Sequence, residues 1–203
     1  MAQNKFPQVA VENRPAMMTG GYLLFCLLYL GAPLLAWQTP HAVPILWLDD
    51  MIPFLPWSVW AYLSQFGLLF CAIWHAPDNA TRTQAFYAML LASAIAAAVF
   101  IIFPTELPRM AVEGPAWRLL YTFDVPGNCF PSLHAALAAI AAAALVRAGG
   151  LWAAVAPLWA AMIIFSALAT KQHVVLDIAG GLVLALACQI LVRHLKVSSH
   201  DHA

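Results

Sequence analysis

His173 and Asp177 stand four residues apart in a run of aliphatic side chains, with Lys171 just ahead of them. On a helix that spacing stacks imidazole and carboxylate on one face, about 5–6 Å apart at Cβ. A carboxylate so placed holds one ring nitrogen and leaves the other free to act. Charge in lipid-compatible sequence is costly and by default functional. A second histidine, His134, follows Pro131, Ser132 and Leu133 at the start of another apolar run. Phosphoryl transfer needs a nucleophile, an acid for the leaving oxygen, and donors around the equatorial oxygens. His173 oriented by Asp177 supplies the nucleophile, and His134 supplies the acid. Lys171 and Arg109 supply positive charge, and Arg118 lies on the same loop as Arg109. This chemistry requires no metal and no cofactor.

The elements that position these groups must be membrane helices. The chain of 203 residues is 64% hydrophobic and only 9% charged, against roughly 25% charged in a soluble domain. Its formal net charge of zero gives no basis for nucleic-acid binding. A span needs about 20 apolar residues. Six runs qualify: residues 21–37, 57–74, 86–103, 131–146, 151–169 and 174–192. Trp and Tyr lie near several of their ends, as an interfacial belt requires. The expected fold is therefore all-α, one membrane-embedded domain over residues 1–203. Residues 1–20 form a cytoplasmic segment and residues 193–203 a polar tail. Cys26, Cys71, Cys129 and Cys188 show neither a disulfide framework nor a zinc spacing.

Six spans put both termini on one side. With the N-terminus inside, the inner segments hold Lys5, Arg14, Arg82, Arg147, Arg193 and Lys196, and the outer ones only Arg109, Arg118 and Lys171. The positive-inside rule favours that orientation, in keeping with a bacterial inner membrane. The outer loops then bring the two histidines, Asp177 and the three outer cations to one surface. Two helix N-termini converge there, and their free N–H groups suit a phosphate. Ser132 either caps its helix or contacts that phosphate. In the first outer loop, Asp49 and Asp50 are solvated acids or metal ligands. Read singly, His134 is an interfacial or capping histidine, and His173 with Asp177 a structural pair. Gly180 and Gly181 are expected to pack helices.

The Pro131-Ser132-Leu133-His134 string, followed by His173 and Asp177 in a helix that ends in glycines, resembles the type 2 phosphatidic acid phosphatase superfamily. Leu133 and the Thr170-Lys171-Gln172-His173 string look closest to its inositol phosphorylceramide synthase-like branch. The resemblance implies a phosphohistidine at His173, Asp177 as its orienter, His134 as general acid and Ser132 on the phosphate. The sequence departs from the family pattern at three places. Met110 follows Arg109 where the family has proline, Ile102 stands in the place of a lysine, and Ala167 in the place of an arginine.

The function expected from the residues and the resemblance is hydrolysis of a lipid-linked phosphate at the outer leaflet of the bilayer. Transfer to an alcohol acceptor would use the same residues. A non-enzymatic transporter or lipid-binding protein is the reading from another class. It would want polar groups near the bilayer midplane, whereas here they lie at the outer ends of the runs. A haloperoxidase-like oxidant is a further alternative. Head group, chain type and oligomeric state have no signature in the sequence.

Overall fold

The computed structural model describes residues 6–124 and 127–193. Helix α1 (Arg14–Leu35) leads to strand β1 (His41–Ala42) and the short helix α2 (Trp47–Met51). A 3-10 turn (Pro56–Ser58) opens the second crossing, which continues as α3 (Val59–Leu63) and α4 (Gln65–His75). The chain then runs through α5 (Asn79–Ile102), β2 (Thr105–Glu106) and α6 (Pro115–Phe123). Helices α7 (Leu133–Val146), α8 (Gly150–Ala169) and α9 (Val175–Arg193) complete it. Five segments are long and apolar enough to cross a membrane: α1, Pro56–His75, α5, α8 and α9. The protein is an integral membrane protein of mostly helical structure.

The expected fourth span is the short helix α7, with 14 residues. At about 1.5 Å per residue it covers about 21 Å, less than the roughly 30 Å of a hydrocarbon core. Short as it is, it forms the centre of the bundle, packed on α4, α5, α8 and α9. Its alanines, among them Ala135, Ala136, Ala138 and Ala141, are fully buried. Methyl-sized side chains let four neighbours approach one helix closely. By contrast α1 stands at the edge, with only Ala32 buried. It starts seven residues earlier than hydropathy predicts, at Arg14, with proline in its first turn, where the fixed φ is pre-organised for a helix.

The second crossing is not one straight helix. Ser64 separates α3 from α4. Its hydroxyl donates to the Ala61 carbonyl at 2.6 Å and accepts the Trp159 indole N–H at 2.8 Å. A serine that bonds back to its own helix competes with the helical ladder there, and Tyr62 lies two residues before this break.

Three loops meet at one end of the bundle. Strand β1 pairs in parallel with β2, His41 opposite Thr105 and Ala42 opposite Glu106. Lys171 Nζ donates to the carbonyls of Asp49 (2.9 Å) and Ile52 (2.7 Å). Asp49, expected as a metal ligand or solvated acid, is neither. It is buried, and its carboxylate accepts the N–H groups of Leu46 and Val175, each at 2.8 Å. Both are backbone donors at helix starts, which a carboxylate satisfies well. Asp49 thereby fastens α2 to the beginning of α9. Arg14, Arg82, Arg147 and Arg193 lie on the helix ends away from these loops. The tail histidines His200 and His202, with Lys5 and Lys196, lie outside the described residues.

Candidate active site

Ser132 is the N-cap of α7; its hydroxyl accepts the Ala135 N–H at 3.3 Å, and it is fully buried. Its own N–H donates to the Asp177 carbonyl at 2.9 Å, which ties the start of α7 to α9. The tie is possible because Gly181 lacks a side chain. A Cβ there would overlap the Ser132 carbonyl, and one at Gly180 would meet the Phe130 ring at 2.5 Å. The two glycines pack helices, and the packing brings His134 and His173 together with ring centroids 6.0 Å apart.

His173 is buried, with Nδ1 3.4 Å from Asp177 Oδ2. The same oxygen accepts the Val174 N–H at 3.0 Å. Asp177 is fully buried, and its Oδ1 has no hydrogen-bond partner among the described residues. The carboxylate thus holds the imidazole and caps the start of α9 at once. His173 Nε2 makes no hydrogen bond among the described residues.

His134 is held by a residue that the sequence reading did not single out. The Tyr62 ring lies on it, centroids 3.9 Å apart and planes 24° from parallel, and the Tyr62 hydroxyl is 3.1 Å from His134 Nδ1. The two residues are 72 positions apart, so no local pattern could have paired them.

The cations distribute unevenly. Arg109 reaches the site. One of its nitrogens forms an ion pair with Asp124 and also donates to Gln172 Oε1 at 3.2 Å. Burial alone would lower the Arg109 pKa; the adjacent Asp124 carboxylate outweighs it, and the guanidinium is held above its ordinary value. Asp124 also accepts the Tyr29 hydroxyl at 2.8 Å. Lys171 borders the site, but its ammonium is engaged by the two carbonyls of the first loop. Its backbone is left-handed, with φ of 55°, a strained conformation that surroundings must impose on a non-glycine residue. Arg118 is exposed on α6 and does not line the site. Cys129, beside the site, has its thiol pushed up to about 12 by burial and by the charges of Asp177 and Asp124.

Two cavities of opposite character open here. A small polar pocket is lined by His173, Arg109, Asp124, Asn128, Gln172 and Lys171 among others. An apolar cavity of about 300 Å³ runs between α1, α4, α6 and α7, and His134 lines it beside Leu133, Leu137, Phe25 and Phe66. Tyr62 and Asp124 border both. A second cavity of about 480 Å³ continues along the same fissure, sharing Tyr22, Phe25, Gln65, Phe66 and Leu137. Among the described residues no three His, Cys, Asp or Glu side chains gather as a metal site would need.

The protein is thus a helical membrane protein that sets two histidines and a guanidinium at the border of a polar pocket and an apolar fissure. A family model described as the PAP2 superfamily matches residues 35–191, and the chain belongs to that superfamily. Membership supports a phosphatase- or phosphotransferase-type enzyme activity. No curated protein and no solved structure matches the chain.

Proposed function

We propose that the protein hydrolyses a lipid-linked phosphate through a phosphohistidine at His173, with His134 as general acid. The observation that carries this reading is the separation of the two histidines. His173 opens on the polar pocket with Arg109, and His134 opens on the apolar fissure. A phosphoryl group in the pocket would place its lipid alcohol on the His134 side, and the chain would lie in the fissure.

His173 Nε2 attacks phosphorus while Asp177 holds the proton on Nδ1. The bond from phosphorus to the lipid oxygen breaks, and that oxygen takes the bond's electron pair and a proton from His134. Water then attacks the phosphohistidine, passing its proton to His134. The P–N bond breaks, phosphate leaves and His173 recovers its lone pair. Arg109 offsets charge on the phosphoryl oxygens. Ser132 supports the start of α7. Transfer to an alcohol, as in the synthase-like branch, differs only in what replaces water in the second step.

The six-crossing arrangement, with the site at the outer face and both termini inside, is part of the same proposal. It rests on the four arginines at the helix ends away from the site and on the positive-inside rule. The reading is tested by incubating purified protein with a panel of lipid phosphates, with and without alcohol acceptors, beside His173→Ala. Phosphate release by wild type and none by the variant is the expected result. Release that persists in the variant contradicts it.

A further inference from the structure

The mechanism above leaves the phosphoryl oxygens with one cation, Arg109, which Asp124 already shares. Asn128 lines the same pocket and is 5% exposed. Its Nδ2 is buried with no hydrogen-bond partner among the described residues. A buried donor without an acceptor costs roughly 1–3 kcal/mol and calls for an explanation.

The backbone around it is clamped. Thr105 N–H donates to the Gly127 carbonyl at 3.3 Å, and the Cys129 N–H donates to the Thr105 carbonyl at 3.1 Å. Phe130 N–H donates to Thr105 Oγ1 at 2.8 Å. Gly127, with φ of 100°, makes the turn that lets the segment lie against Thr105. These contacts hold the Cα of Asn128 in place, and among the described residues its Nδ2 has no acceptor. Three other buried side-chain atoms among the described residues lack partners: Arg14 Nε, Gln65 Oε1 and Asp177 Oδ1. None is a donor in this pocket.

We propose that Asn128 Nδ2 is a phosphate-binding group that donates to a non-bridging phosphoryl oxygen opposite Arg109. This rests on the phosphoryl-transfer reading and extends it. A fixed neutral donor in a water-poor site needs no reorganisation as charge develops.

The test uses the full-length protein in detergent, with a soluble aryl phosphate as substrate and orthovanadate as a mimic of the pentavalent phosphorus. Asn128→Asp, nearly isosteric, should lose at least a hundredfold in kcat/KM and raise the vanadate inhibition constant more than tenfold. Asn128→Ser, which keeps a shorter hydroxyl donor, should raise that constant several-fold while melting within a few degrees of wild type. Kinetics and inhibition within twofold of wild type in Asn128→Ser overturn the assignment. So does a lowered melting temperature with unchanged inhibition, which marks a structural asparagine. Wild type that neither turns over the ester nor binds vanadate overturns the phosphoryl-transfer reading itself, and this inference with it.

Discussion

The Tyr62 phenol lies flat against His134, centroids 3.9 Å apart, with its hydroxyl 3.1 Å from Nδ1. As general acid His134 is the imidazolium, in which both ring nitrogens are donors: Nδ1–H donates to the Tyr62 oxygen, and Nε2–H is the proton that the leaving oxygen takes. Tyr62→Phe keeps the stack and removes the hydrogen bond. We predict a fall in kcat of about tenfold, equivalent to roughly 1.4 kcal/mol, with KM little changed. Steady-state kinetics on a lipid phosphate checks this. An unchanged kcat would show that the tyrosine only fills space.

Gly181→Ala would drive a Cβ into the Ser132 carbonyl, which is backbone and cannot yield. Overpacking of this kind costs typically 1–3 kcal/mol, and here it would also part the two histidines. Loss of thermal stability together with at least tenfold loss of activity is expected. Gly180→Ala meets the edge of the Phe130 side chain, which can rotate, so it should be milder on both measures.

Lys171→Met removes the two hydrogen bonds to Asp49 and Ile52. Bonds to a charged group are worth about 1.5–3 kcal/mol each, so the variant should melt earlier. Its vanadate inhibition should shift by less than threefold, because the ammonium faces the first loop. A large shift in inhibition at unchanged stability would return Lys171 to the phosphate.

Cys129 gives a pH dependence. Burial, then the charges of Asp177 and Asp124, pushes its thiol up to about 12 in the folded protein, against about 8.5 in an unfolded chain. The folded state therefore binds the proton more tightly. Its stabilising contribution is complete below about pH 8.5 and is lost as pH rises towards the folded value. Melting temperature should fall between pH 9 and 11 in wild type, and less steeply in Cys129→Ala. At pH 8 the thiol should resist iodoacetamide until the protein is unfolded.

Much of the helical frame was legible because apolar runs of span length announce themselves, and the observed helices fall on those runs. The His173–Asp177 pair was legible because a four-residue spacing is a local signal. Tyr62 was not, since only the packing of the second crossing against α7 brings it to His134, 72 residues on. Lys171 showed its charge but not its direction. That direction is set by a left-handed backbone and by carbonyls about 120 residues earlier. Asp49 looked like a loop acid because nothing local reveals that the N–H of Val175 lies 2.8 Å away. Asn128 lacked any sequence signal; a buried amide nitrogen without a partner among the described residues is visible only in three dimensions.

The central claim is a covalent phosphohistidine at His173. Purified protein should be mixed with a lipid phosphate carrying ³²P, quenched in alkali within milliseconds to seconds, and digested to peptides. The account predicts an alkali-stable, acid-labile label on the peptide that contains His173, chased by water and absent from His173→Ala. No label under conditions of rapid turnover, or a label on another residue, would contradict it.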